Sequence, residues 1–278
     1  MVEIKFVILA DDRPNNLPPP ETIVQLCRAA GHDTRGVPLF DESRGLNLAW
    51  VKYGHTVTMS EAHTQDAVWQ ALNAIPDAPG RIPKVYQAFK SGYRGYIVME
   101  YIDGSECIAS DIPQVAAVVE CLIGIKGPTA VPGPVGGGPI VHSFFVEWTS
   151  DLEYDTVQEL EQHVNGILAY VDHSERVDFS GEIRDGLRLC PCDINQTNFL
   201  KDRQGRIVAI DFGATNFLPP SFFALAMAMA LDDFTFQVSK HVKFPTSTNL
   251  NALLRASYAL VPFGTNNIGV PRSLRKPK

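Results

Sequence analysis

The sequence predicts an α+β fold in which a small sheet with one helix is followed by a mainly helical part. Three observations lead there. Between about residues 46 and 101, three segments of strand composition surround one amphipathic segment. Further on, Val157, Leu160, Val164, Ile167, Leu168 and Val171 recur at helical spacing. At 278 residues the chain can form one large domain or two lobes, and 45% hydrophobic with 20% charged residues is the composition of a chain that folds.

Before about Gly45 the pattern is broken by Pro18 to Pro20 and by polar stretches, with one amphipathic segment, ETIVQLCRAAG, that Gly31 can close. Leu46, Leu48, Trp50 and Lys52 then alternate along one strand face, so Lys52 continues an apolar face. Ser60 is the expected N-cap of EAHTQDAVWQALN, where Glu61, Gln65, Val68 and Leu72 share a helical face. Each of IPKVYQAF and GYIVMEY reads as a strand, followed by a turn at Asp103-Gly104. GPTAVPGPVGGG, residues 127–138, is loop, and TVQELEQHVNGILAYV is a long helix. LRLC, NFLK and RIVAID read as short strands, with a turn at Asp202 to Gly205, and Pro219-Pro220 open the helix SFFALAMAMALDD. The closing PRSLRKPK is expected to fray.

With 24 basic against 31 acidic residues the formal net charge is -7, which offers no whole-molecule attraction to nucleic acid or an anionic membrane. Five cysteines in a chain this long do not make a disulfide framework, so reduced thiols are expected. The apolar core of MVEIKFVILADD is too short for a signal peptide, and the run Phe222 to Leu231 is about half of a membrane span. The expected address is the cytoplasm.

The most informative segment is CPCDINQTNFLKDRQGRIVAIDFG. It places Asp193, then Asn198 five residues on, then Asp211 opening Asp-Phe-Gly after an apolar strand. Phosphoryl transfer needs a carboxylate to orient the attacking hydroxyl and accept its proton, and hard oxygen ligands for Mg²⁺. This segment supplies both. Asp-x-x-x-x-Asn alone would arise on the order of once by chance in such a chain; the order of loop, strand, turn, strand and Asp-Phe-Gly is the informative part. The bland alternative is a set of turn-capping Asp and Asn side chains.

On these residues the sequence resembles the protein-kinase-like superfamily, more closely its aminoglycoside phosphotransferase and choline kinase branch, and in particular a fungal phosphotransferase-like family. The likeness covers about residues 46 to 232. It implies two lobes, an antiparallel-sheet lobe at 1–103 and a mainly helical lobe at 104–278, with ATP and Mg²⁺ as cofactors. By resemblance Asp193 matches the catalytic aspartate, and Asn198 and Asp211 the metal ligands. Lys52 in AWVKYG looks like the lysine that holds the nucleotide phosphates, and Glu61 like its helix partner. Met99 to Gly104 resemble the hinge, where Glu100, Tyr101 and Ile102 would meet an adenine ring. Independently, a lysine on an apolar strand face and a glutamate on an apolar helix face each need an opposite charge.

Two features depart from the pattern. Pro191 stands where most relatives carry a histidine that is usually structural, and no Gly-x-Gly-x-x-Gly precedes Lys52; only Gly36 and Gly45 flank the candidate turn GVPLFDESRG. The expected activity is transfer of a phosphoryl group from ATP to a hydroxyl of a small molecule. The alternatives are a pseudokinase that binds or regulates, and a kinase fold turned to other chemistry on a metabolite. Other candidates read as structural: Cys190 and Cys192 as packing thiols, and Phe144, Phe145 and Trp148 as core. His142 is a structural histidine or lines an acceptor pocket, and Gly136 to Gly138 let backbone approach a substrate or form a surface loop.

Overall fold

In the computed structural model, residues 4–31, 34, 36–230 and 232–274 are described. The end of the closing PRSLRKPK segment, 275–278, lies outside them. The chain runs β1 (Ile4–Leu9), α1 (Pro20–Ala30), β2 (Val37–Asp41), β3 (Leu46–Gly54), α2 (Met59–Asn73), β4 (Gly80–Arg81), β5 (Val85–Ser91), β6 (Arg94–Glu100) and β7 (Gly104–Glu106). It continues with α3 (Ile112–Ile123), α4 (Val157–Tyr170), β8 (Arg188–Pro191), β9 (Phe199–Asp202), β10 (Ile207–Ala209) and β11 (Thr215–Leu218), then α5 (Pro220–Ala228), α6 (Asp233–His241) and α7 (Leu250–Leu260). The result is a two-lobed α+β fold.

The first lobe is a five-stranded antiparallel sheet in the order β1-β5-β6-β3-β2. Strand alternation gives it two apolar faces. Ala49, Val51, Tyr53, Tyr96 and Val98 pack against Ile23, Val24 and Cys27 of α1, whereas Trp50, Ile97 and Met99 pack towards Met59 and Ala62 of α2. Lys52, opposite Ile97, therefore belongs to the α2 side. The fully covered face of β3 is that of Ala49 and Val51, and Leu46 at the start of the predicted Lys52 face is exposed. A polar strand end is tolerated there because the α2 side opens onto a cleft.

Helix α2 starts at Met59 with Thr58 as N-cap, two residues before the predicted Ser60. The Thr58 hydroxyl accepts the Glu61 N–H at 3.0 Å, and Thr58 is extended while Ser60 is already helical. The cap thus fixes the turn that carries Glu61. Further along, Val68 and Leu72 leave the sheet and join the large helical core built on α3, α4, α5 and α7. One helix spans both cores.

In place of the predicted Asp103-Gly104 turn, Gly104 begins β7, which pairs with β9 in a second sheet, β4-β10-β9-β7. A Cβ on Gly104 would sit 2.4 Å from the Lys201 carbonyl oxygen, so close strand approach accounts for this glycine. The long predicted helix is α4, capped by Thr156, and its Val171 lies beyond the end and is exposed. Strands β1, β2, β4, β7 and β11 and helices α3, α6 and α7 are additions to the sequence-derived list. On α4, a Cβ on Gly166 would meet the Gly269 carbonyl oxygen at 2.0 Å. Helix propensity favours alanine by up to about 1 kcal/mol, but a backbone clash cannot be relieved by a rotamer. We therefore expect Gly166→Ala to lower stability by about 2 kcal/mol, read from the urea midpoint; a stabilised variant would refute this packing.

His142 is fully buried beneath α5. Its Nδ1 accepts the Phe144 N–H at 3.0 Å, which leaves Nε2 to donate to the Phe222 carbonyl oxygen at 3.0 Å. It is a satisfied structural histidine. Phe144 and Phe145 are core as expected, with Trp148 partly buried against them. A second proton on the ring would face the Phe144 N–H, and burial lowers the His142 pKa from 6.5 to about 4. The unfolded state then binds the proton first, so stability present above pH 6.5 is lost as pH falls towards 4, by about 3 kcal/mol. His163, also lowered by burial, adds with the same sign. His142→Gln, which can accept and donate in the same two directions, should flatten the urea-midpoint profile between pH 6.5 and 4; an unchanged slope would remove His142 as its source.

Candidate active site

The cleft between the lobes brings together residues far apart in the chain. Lys52 Nζ lies 2.5 Å from Glu61 Oε1 and 2.8 Å from Asp211 Oδ1. The Glu61 side chain is 3% exposed and sits behind the lysine; the Asp211 side chain is 41% exposed and faces the cleft. Burial by itself pulls the Lys52 pKa down, but the carboxylates of Glu61 and Asp211 outweigh it and the net direction is up. The Glu61 carboxyl is pushed up by its own burial, with Lys52 opposing and Asp211 adding to the rise. Lys52 is an ammonium at neutral pH, held between two carboxylates.

The Asp211 backbone is left-handed, at φ 62°. Asp tolerates this conformation better than most side chains, because its carboxylate can bond locally. Here Oδ1 accepts the Gly213 N–H at 3.2 Å. A Cβ on Gly213 would lie 3.3 Å from Asp211 Oδ1 and 3.5 Å from Glu61 Oε2, which ties the glycine of Asp-Phe-Gly to the crowding of the two carboxylates.

Asp193 lies in the loop between β8 and β9. Its Oδ1 accepts Asn195 Nδ2 at 2.7 Å; its Oδ2 and backbone oxygen accept Asn198 Nδ2 at 3.1 and 2.9 Å. Asn195 also closes an Asx turn by accepting the Thr197 N–H at 3.0 Å. This loop is stitched to the Asp211 segment by the Ile210 N–H on the Asn198 carbonyl, by the Cys192 N–H on the Ala214 carbonyl, and by pairing of β8 with β11, in which Pro191 faces Thr215. Backbone bonds thus anchor the loop without a histidine at 191. Burial raises the Cys190 thiol to about 12 and the Cys192 thiol to about 11, as expected of packing thiols.

Lys52, Asp193, Asn198 and Asp211 all line one cavity of about 710 Å³. A second cavity of about 290 Å³ adjoins it beyond the end of β6, with Trp50 and Met99 from the sheet, Leu200 and Ile210 from the other lobe, and Tyr101 and Ile102 at its edge. Its walls suit a flat aromatic group. Glu100 lines it too, but its N–H donates to the Lys84 carbonyl at 2.9 Å and its carboxylate pairs with Arg81 at 2.7 Å. Arg81 also reaches Asp202 at 3.2 Å, tying the end of β6 to β9. Neither Arg81 nor Asn195 was identified by sequence reasoning. Asn195-Gln196-Thr197 carries an Asx-turn signal, whereas nothing local marks Arg81.

The loop GVPLFDESRG does not cover this site. The register pairs Val37 with Val51 and Asp41 with Leu46, so the turn at 42–45 sits at the far end of β3 from Lys52, closed on itself by Asp41, which accepts the Ser43 N–H and hydroxyl. The glycine-rich loop packs on α2. The Val135 N–H donates to Thr64 Oγ1 at 2.9 Å, and Gly136 packs on His63, so the loop buttresses the first turns of α2.

The donor set for a metal ion is sparse and hard: the Asp211 carboxylate and the Asn198 amide. Among the described residues no group of three or more His, Cys, Asp or Glu is arranged to hold an ion alone. Mg²⁺ is commonly held by one or two carboxylates together with substrate phosphates. No helix among the described residues is long and apolar enough to cross a membrane.

Neither a family model nor a curated protein sequence matches the chain. Solved structures do. A protein of Haemophilus somnus 129PT assigned as a fructosamine-3-kinase shares 12% identity over 88% of this chain and 89% of its own, with a TM-score of 0.48. Aminoglycoside phosphotransferase APH(4)-Ia shares 14% over 86% and 89%, with a TM-score of 0.49. Choline kinase LicA from Streptococcus pneumoniae shares 14% over 88% and 89%, with a TM-score of 0.42. At these scores they carry no argument about this chain. The arrangement is read from its own elements: a five-stranded sheet with Lys52 on β3, Glu61 on the following helix, and the Asp193 and Asp211 loops lining the same cavity as Lys52.

Proposed function

We propose that the protein is an ATP-dependent phosphotransferase acting on a hydroxyl of a small molecule. The observation that supports this best is the convergence of Lys52, Asp193, Asn198 and Asp211 on one cavity, with Glu61 buried behind Lys52. Lys52 would hold the nucleotide phosphates, and Glu61 would keep its ammonium in place. Asp193, fixed by Asn195 and Asn198, would orient the acceptor hydroxyl and take its proton. Asp211 and Asn198 would hold Mg²⁺, which supplies neutralisation of phosphate charge when bound. Trp50, Met99, Leu200 and Ile210 would sandwich the base, with Tyr101 and Ile102 at its edge.

A small acceptor fits the segment after Asp-Phe-Gly. Strand β11 begins at Thr215 and α5 at Pro220, which leaves no room for a long segment to present a polypeptide. The lobe division near Asp103 and a cytoplasmic location belong to the same reading. A second reading, nucleotide binding without transfer, draws on the position of the 42–45 turn, which lies at the far end of β3 from Lys52 and does not cover it. Thermal shift with ATP and Mg²⁺, followed by ADP release across a panel of alcohols and aminoalcohols, separates the two. Binding with release on at least one acceptor supports transfer, binding with none supports the second reading, and no binding removes both.

A further inference from the structure

Helix α2 carries Glu61, and its first turns are held on one side by a segment that lies between α3 and α4 in the chain. Residues 133–138 run along Ser60, His63 and Thr64. These three stand at spacings of three and four and so form one patch of the helix surface. Thr64 is fully buried, and its Oγ1 accepts the Val135 N–H at 2.9 Å. Gly136 and Gly138 have positive φ, 88° and 112°, and a Cβ on them would stand 3.0 Å from the His63 ring and 3.2 Å from Ser60 Oγ. Glycine allows this approach, because a side chain would press on the helix.

The other end of the segment is fixed to the strand that follows Asp-Phe-Gly. Gly133 and Phe217 exchange both of their backbone bonds, at 3.0 and 2.8 Å, and Phe217 belongs to β11, which begins at Thr215, four residues after Asp211. Strand β11 itself pairs with β8, which leads into the Asp193 loop. One short segment therefore joins the two elements whose carboxylates meet at Lys52: α2, with Glu61 at 2.5 Å, and the Asp211 segment, at 2.8 Å. A sheltered backbone N–H needs an acceptor, and Thr64 supplies one. That alone would require neither the tie to β11 nor the glycines against Ser60 and His63.

We propose that Thr64 is a positioning residue: through it the 133–138 segment sets α2 against β11 and so holds the Glu61 carboxylate on Lys52. In its service to nucleotide phosphates this rests on the function proposed above; the registry of Glu61 on Lys52 does not.

A double-mutant cycle between Thr64→Val and Lys52→Met, read from urea midpoints, tests the registry without any nucleotide. Thr64→Val keeps the size and removes the acceptor, so its midpoint should fall; so should that of Lys52→Met, which takes the shared cation from two carboxylates. The Lys52→Met shift should be smaller in the Thr64→Val background than in the wild type, because there the Lys52–Glu61 pair is already loosened. Thr64→Ser, which keeps the acceptor, should leave that shift at its wild-type size. Additive shifts, which independent sites give, overturn the proposal, since a purely structural Thr64 has no reason to couple to Lys52. Should Thr64→Val not fold, Gly136→Ala, which presses on His63, takes its place with the same two outcomes. Titrations with ATP and adenosine then read the bearing on the nucleotide. Thr64→Val should weaken ATP by several-fold and leave adenosine unchanged, because Lys52 would hold the phosphates that adenosine lacks. ATP weakened no more than adenosine removes the positioning role. A wild type that binds no ATP refutes the function proposed above, and the urea cycle still decides the registry.

Discussion

Asp193→Asn is expected to lower turnover by roughly 10²-fold or more while ATP and Mg²⁺ affinity stays within a few-fold of wild type. The separation follows from where Asp193 stands. Its carboxylate is held by Asn195 and Asn198, outside the Lys52–Glu61–Asp211 cluster. It would therefore act on the acceptor and not on the nucleotide. Asparagine keeps the size but removes the negative charge that orients the hydroxyl and takes its proton. It also presents an NH₂ to one of two amide donors that now meet carboxylate oxygens, a cost on the order of 1 kcal/mol. The urea midpoint should fall by no more than that cost implies, so a loss of activity cannot be ascribed to unfolding. If Asp193→Asn turned over as fast as wild type, the mechanism would be wrong even with the fold right. Loss of nucleotide binding would make Asp193 a ligand or a structural residue.

Much of this site is legible in the sequence because its chemistry is local. Asp193, Asn198 and Asp211 lie within nineteen positions, and the strands between them have clear boundaries. Lys52 and Glu61 are legible for another reason: each interrupts an apolar periodicity, and only a partner makes that affordable. What escaped the sequence depends on long-range pairing. Strand β1 looks like an isolated apolar hexamer, and nothing in it says that it joins the β5 edge and leaves β2 as the other edge. In helix α3 the buried Ile112, Val115, Ala116, Val119 and Leu122 do recur at helical spacing, but the apolar Ala117, Val118 and Ile123 around them blur that stripe in the sequence. Arg81 gains its meaning from Asp202, 121 positions away, and no local pattern announces such a meeting.

Asp211→Ala is expected to abolish any Mg²⁺-dependent part of the nucleotide-induced thermal shift while a Mg²⁺-independent part persists. Among the described residues Asp211 is the one carboxylate of the cleft that reaches both Lys52 and solvent, and Glu61, at 3% exposure, is too enclosed to replace it. Mg²⁺ keeps most of its ligands from water and phosphate, so the loss of a single protein carboxylate removes much of what the protein contributes. The apo protein should respond in two opposing ways. Lys52 loses one of two carboxylates but keeps Glu61 at 2.5 Å, so it remains an ammonium in a neutral pair. Alanine at φ 62° is strained, however, at a cost of about 1 kcal/mol. Asp211→Asn separates these effects, because asparagine tolerates the left-handed conformation and keeps the side-chain size while losing the charge. Both variants should lose the Mg²⁺-dependent shift, and only the alanine should lose apo stability. An unchanged Mg²⁺-dependent shift in both would remove Asp211 as a metal ligand. A shift lost in the alanine but intact in the asparagine would show that Asp211 matters through its backbone turn and not through its charge.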